Sequence, residues 1–438
     1  MISKLKTIWE IKELRDRILF TFFIILIYRI GAHIPIPGIN TRELANYFMS
    51  KSNTLFDLYN MFAGGAFKKA TIFALGIMPY ISASIIMQLL GVIYEPIKRL
   101  QNEGMEGRKQ IIQYTRYGTI FLSSLQALGI SIFLTSIKDF NIILINRVFF
   151  TIVAVVVLTT GTVILMWFGE RITEKGIGNG ISLLIFLGII SRLPAAVIQE
   201  IKKWTVGATS TLGIFGVLVF IVLTTAAVVY LTLGTRKIPI QTTKRIIGNK
   251  IMGGQTTYLP IRVNSVGVIA IIFASSFLFV PNTIASFFPN VEPIQVLASY
   301  FRPGNWVYTI IYTFLIIIFM YLYTAIQFNP YDIAENLRKQ GAFIPGYRAG
   351  KWTAEYLDKV LTRLTLPASI FIALVAIIPD YISYKMNWGF YLGGTTLLIV
   401  VGVALDVAQQ IEGHLLMHQY DGLMGSTRIR GRRSSFYY

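Results

Sequence analysis

Ten stretches of this chain are apolar, nearly free of charge and long enough to cross a lipid bilayer: 18–34, 70–94, 117–136, 148–168, 181–198, 212–233, 264–285, 306–328, 364–379 and 391–411. A hydrocarbon core about 30 Å thick takes about 20 helical residues, and within it every backbone N–H and C=O must be satisfied by the protein itself. The pattern predicts an all-α polytopic membrane protein of ten transmembrane helices. Charged residues make up 14% of the chain, where a soluble domain carries about 25%.

The loops fix the orientation. The terminal segments and the loops on their side carry 28 Lys and Arg, against 10 in the opposite loops. Basic loops stay inside, so both termini are expected in the cytoplasm. The net charge of +19 then sits beside anionic membrane lipid rather than on a nucleic-acid stripe. Residues 1–17 read as a retained cytosolic amphipathic helix rather than a cleaved leader, and 412–438 as a cytosolic tail. Ten spans divide into halves of five, 18–198 and 199–411. Because five is odd, two halves of one fold would have opposite orientations, as in inverted-repeat transport proteins.

Catalytic signatures are missing. There is no cysteine, no Walker loop and no paired intramembrane carboxylates. His414 and His418 are spaced i, i+4, but without a third ligand nearby they read as part of the polar tail rather than a metal site. The glycine run 176–180, GIGNG, follows a membrane span instead of a strand, so it reads as a flexible connection rather than a phosphate cradle. Asp406 and Arg29 are the notable ionisable groups within spans, and no relay of carboxylates or histidines accompanies them. The basic loop 234–263 and the turn-rich loop 329–363 are too long for simple connections. They read either as a membrane-surface patch or as a docking site for a cytosolic partner.

The segment 60–92, NMFAGGAFKKATIFALGIMPYISASIIMQLLGV, contains residues that a lipid-facing helix does not need: Gly64, Gly65, Lys68, Gly76, Pro79, Ser84 and Gln88 among them. Small and polar groups at this depth belong where a helix meets protein or water, so this segment is expected to line a passage.

Several motifs, in order along nearly the whole chain, resemble the SecY family of channel subunits of the bacterial protein translocase. They are IPIPG at 34–38, IFALGIMPYISASIIMQLL at 72–90, EGMEGRKQIIQYTRYGT at 103–119, GERITEKGIGNGIS at 169–182, IFASS at 272–276, GAFIPGYRAG at 341–350, DKVLTRLTL at 358–366 and GGTTLLIVV at 393–401. The resemblance implies two inverted five-helix halves forming a clamshell around an hourglass pore. Such a channel passes unfolded preproteins, recognises signal peptides, and releases transmembrane helices sideways between spans 2–3 and 7–8. By motif position the pore ring falls on Ile81, Ile85, Ile185, Ile189, Ile272 and Ile399. The plug, 55–70, includes Asn60, Met61, Phe62, Gly64, Gly65 and Lys68, with the glycines letting a short helix hinge. Ser84, Gln88, Ser275, Ser276 and Phe279 fall at the lateral gate.

Arg245, Lys250, Arg348 and Lys351 fall where the family engages the SecA ATPase motor and the ribosome. SecE and SecG small membrane subunits are the implied membrane partners, and the bacterial plasma membrane the implied location. The resemblance implies no enzymatic activity and no cofactor, because the motor is external. Two positions depart from the family pattern. Ala270 stands where proline is common, and Val280 precedes Pro281 where phenylalanine is frequent. The competing reading is an ion-coupled secondary transporter with inverted repeats, which would place an essential charge at Asp406.

Overall fold

The computed structural model of the chain describes residues 9–50, 60, 63–137, 142–207, 210–242, 245–247, 250–252, 256–264, 268–288, 291–301, 305–385 and 393–426. Its first part comprises α1 (Lys12–Gly31), α2 (Thr41–Ser50), α3 (Met78–Ile93), α4 (Glu95–Asn102), α5 (Met105–Ser136), α6 (Arg147–Lys175), α7 (Gly180–Ile190) and α8 (Leu193–Thr205). The second part begins with α9 (Thr211–Leu233), followed by four strands: β1 (Thr235–Thr242), β2 (Arg245–Ile247), β3 (Lys250–Met252) and β4 (Thr256–Arg262). Then come α10 (Ile269–Phe287), α11 (Glu292–Tyr300), α12 (Trp306–Gln327), α13 (Pro330–Lys339), β5 (Ala342–Phe343), α14 (Lys351–Lys385) and α15 (Gly394–Ser426).

Short polar residues mark where many helices start. The side chain of Asn146 accepts from the Val148 N–H at 3.0 Å. Asn179 accepts from Ile181 and Ser182, Ser210 from Gly213, Asn305 from Val307 and Asn329 from Tyr331. Each satisfies an amide that the first helical turn leaves without a partner.

Seven helices are long and apolar enough to cross a membrane among the described residues, or eight if α3 and α4 are counted as one broken span. The sequence pattern gives ten. The other two apolar stretches are present as helices that are shorter or more charged. α10 has 19 residues, and α1 joins the predicted stretch 18–34 to charged turns carrying Glu13 and Arg17. The predicted span 70–94 is cut at its start. Gly76 has φ +59° and Pro79 lies in the first turn of α3, so the helix begins at Met78 and residues 63–77 run as successive turns. At its far end, α4 turns away from α3 by 102°. At the next junction, between α4 and α5, glycine is needed, because a Cβ at Gly107 would collide with the Leu100 carbonyl. α15 continues past the predicted span end at 411 to Ser426.

The membrane part is helical, whereas the two long loops fold together with strands. β1 pairs antiparallel with β4 from Thr235↔Arg262 to Gln241↔Thr256, and β5 from the second loop pairs with the end of β1. Ile238, Ile261, Ile344, Leu357 and Leu361 form a small core beneath this sheet. Pro239 lies on β1 beyond the reach of β5, and Pro260 lies on the edge strand β4, where a missing N–H costs no ladder bond.

α5 packs against α3 and α6, and α12 against α10 and α14. The ion pair Arg116–Glu170, at 2.7 and 3.0 Å, joins α5 to α6. Helices from the two parts of the chain meet along two seams: α10 lies against α3 and α5, and α7 lies against α15. One contiguous apolar cluster runs through both seams.

Candidate functional site

The six isoleucines assigned to the pore ring come from four helices. α3 carries Ile81 and Ile85, α7 carries Ile185 and Ile189, α10 carries Ile272 and α15 carries Ile399. All six are at most 6% exposed, and all belong to the same apolar cluster. The i, i+4 spacing of the two pairs puts both members on one face of their helix. The cluster therefore draws on both parts of the chain.

Residues 63–77 pack into this cluster through Ala63, Ala66, Phe67, Phe73, Ala74 and Leu75. Asn60 closes the segment on itself: its backbone carbonyl accepts from the Gly65 N–H at 2.8 Å, and its buried side chain accepts from the Lys68 N–H at 3.1 Å. Phe67 meets Phe48 of α2 edge-on, and Phe73 stacks on Tyr28 of α1. Gly64 and Gly65 have φ values of +63° and +89°. Residues 63–70 run as turns, while Asn60 is helical. Met61, Phe62 and 55–59 lie outside the described residues.

The positions assigned to the gate lie on α3 and α10, two helices that pack together. Gln88 donates to Ser84 Oγ at 3.2 Å within α3. On α10, the Ser275 hydroxyl donates to the Ile271 carbonyl at 2.8 Å and lies 3.3 Å from the Tyr312 hydroxyl of α12. Ser276 Oγ and Gln88 Oε1 are shielded from solvent without a hydrogen-bond partner, as is Gln126 Oε1 on α5. Phe279 belongs to α10, and its side chain is outside the described atoms. Ala270 falls in the first turn of α10. Gln126 and Tyr312 were not singled out from sequence, although Gln126 is a polar residue in an apolar helix and thus carried the signal.

The docking positions divide between two places. Arg348 and Lys351 are exposed at the turn leading into α14, where the Arg348 carbonyl accepts from the Thr353 hydroxyl at 2.8 Å. Arg245 and Lys250 take backbone positions on β2 and β3; their side chains are outside the described atoms. Because β5 joins β1, the two loops form one unit rather than two separate patches.

The glycine run 176–180 is a tied joint, not the flexible connection expected. The Ile177 N–H donates to Thr21 Oγ1 of α1 at 3.1 Å, Gly178 N–H to Gln410 Oε1 of α15 at 2.7 Å, and Gly180 N–H to Thr173 Oγ1. These amides are spent within the protein and do not cradle an anion. Asp406 on α15 is exposed and lies within electrostatic reach of Arg262 at the base of the β-hairpin. Arg29 is half-buried on α1, and its carbonyl lies 2.9 Å from His33 Nδ1. His414 and His418 are on α15; among the described residues no group of three or more metal-ligating side chains gathers.

The SecY family model matches residues 71–408. The protein translocase subunit SecY of Pseudomonas aeruginosa is 45% identical over 424 residues, covering 96% of this chain and 95% of its own. That of Vibrio cholerae is 43% identical over 427 residues, covering 96% of both. The fold is similar to that of a solved protein-conducting channel, with a TM-score of 0.66 at 19% identity over 95% of each chain.

Proposed function

The chain belongs to the SecY family, and we infer from this that it forms the central protein-conducting channel of a Sec translocase. It moves unfolded preproteins across the membrane and releases apolar helices sideways into lipid. The observation that carries this reading is the burial of six isoleucines, from four helices in both parts of the chain, within one apolar cluster. A sliding polypeptide presents every side-chain type in turn. A wall with fixed charges would hold some of them, whereas an apolar, deformable ring holds none, and it excludes water at rest by dewetting.

The seam between α10 and α3/α5 is the sideways exit. Partnerless polar atoms of Ser276, Gln88 and Gln126 make the closed seam less stable than a fully apolar one and gain partners when a chain or water enters. Residues 55–70 act as the plug. The ten spans fall into two inverted halves, 18–198 and 199–411, with α1, the bent α3 and α10 counted as crossings. The 28 basic residues on one side against 10 on the other support both termini in the cytoplasm, and the family supports a bacterial plasma membrane as the location. The sheet unit bearing Arg348 and Lys351 then faces the cytosol and receives a SecA-type motor or the ribosome. SecE- and SecG-type subunits cover part of the lipid-facing surface. The chain supplies the passage and no chemistry.

The deciding experiment is reconstitution with SecE-, SecG- and SecA-type partners in lipid vesicles. ATP-dependent import of a preprotein into a protease-protected space is the expected result. A complete system that binds ATP and preprotein yet imports nothing would overturn the reading.

A further inference from the structure

Two ring residues, Ile185 and Ile189, share helix α7 with a glycine that touches the plug segment. A Cβ placed on Gly64 would lie 2.7 Å from Gly188 Cα and 3.1 Å from the Gly188 carbonyl oxygen. The two backbones are thus in direct contact. Three residues on, at the end of α7, the Ser191 hydroxyl lies 2.8 Å from the Gly188 carbonyl and 3.4 Å from the Gly64 carbonyl, so its one proton is shared between them. Gly65, the next residue, has nothing within 4 Å of its Cβ position although its backbone is equally left-handed.

We propose that α7 carries the latch of the resting channel: the contact of Gly64 with Gly188, bridged by Ser191, holds residues 63–70 in place. This rests on the channel reading above and adds how the seal is released. Gly188 lies between the side chains that line the passage, so a chain that presses Ile185 and Ile189 outward displaces Gly188 and Ser191 as well. The seat leaves the plug at the moment the ring widens. Ring and plug then open as one event, with no separate trigger, because one rigid helix turn carries both. A plug held only by apolar packing would instead stay in contact with a ring that yields, since such packing has no direction.

The test uses the strain shared by the two glycines. Gly64→Ala and Gly65→Ala both put a side chain at a positive φ, but only the first meets the Gly188 backbone. Overpacking of this kind displaces a closed equilibrium by about tenfold or more. In the reconstituted complex, Gly64→Ala is therefore expected to raise the resting ion conductance by about that factor, while Gly65→Ala, which carries the backbone strain alone, raises it clearly less. Ser191→Ala removes the bridging hydroxyl without adding volume and is expected to raise conductance less.

A second readout uses the absence of native cysteine. Ala66 is 1% exposed, so Ala66→Cys should react slowly with a membrane-impermeant thiol reagent at rest. The reaction should accelerate when Gly64→Ala is added. Equal conductance and equal labelling in the Gly64→Ala and Gly65→Ala channels would overturn the latch. If Gly64→Ala does not accumulate in the membrane, Ser191→Ala decides: parental conductance and labelling overturn it. Failure of the parental complex to import preprotein would instead strike the channel reading.

Discussion

Isoleucine is an ordinary side chain in a membrane helix, and nothing in its chemistry separates a lumen from lipid. Ile81, Ile85, Ile272 and Ile399 are informative because all are buried within one apolar cluster while coming from three different helices. Their substitution together by serine should give the resting channel a measurable conductance in planar bilayers, because hydroxyls let the constriction wet. Unchanged conductance would count against an apolar seal. The positions were legible only through the family motifs, since helical periodicity alone cannot say what a face meets. Thr21 shows the reverse. It is an unremarked threonine in an apolar stretch, yet it accepts the buried Ile177 N–H from a residue far along the chain. Thr21→Val should cost about 1–3 kcal/mol by leaving that amide without a partner, and Thr21→Ser should restore most of it. Thermal unfolding in detergent measures both, and an unshifted transition for Thr21→Val would refute the assignment.

At the scale of elements, apolar length was a good guide to helices and a poor one to their ends. The stretch 70–94 is continuous in composition, but Gly76 and Pro79 start the helix at Met78. Positive φ at glycine is a local property that apolar counting ignores. The loop 234–263 attracted attention through its basic residues, while the alternating Ile238, Ile240 and Ile261 were already a strand signal. What the loop's own sequence did not contain is its partner, β5, which arrives from residues 342–343. The joined unit presents Arg348 and Lys351 from an ordered turn. Arg348→Glu should therefore depress motor-driven import while leaving the unfolding temperature unchanged, because the side chain is exposed. Normal import by this variant would remove Arg348 from the docking surface.

At the scale of the whole molecule, the two parts of the chain meet along the α10–α3/α5 and α7–α15 seams. The joint at 176–180 adds a third connection, through Gln410 of α15 and Thr21 of α1. Asp406 lies near Arg262 and is not one of the residues of the apolar cluster, so Asp406→Asn should leave preprotein import intact in vesicles. Its abolition, with assembly preserved, would revive the ion-coupled alternative. The sequence by itself determined that this chain lives in a membrane, which loops are basic and which family it resembles. Those conclusions follow from solvent chemistry and from motifs, and both are written locally along the chain. Only the tertiary structure decided that isoleucines from four helices are buried in one apolar cluster, that two distant loops share a sheet, and that Gly64 rests on Gly188. Each is a contact between segments far apart in sequence, and the geometry that creates it belongs to the packed fold rather than to either segment.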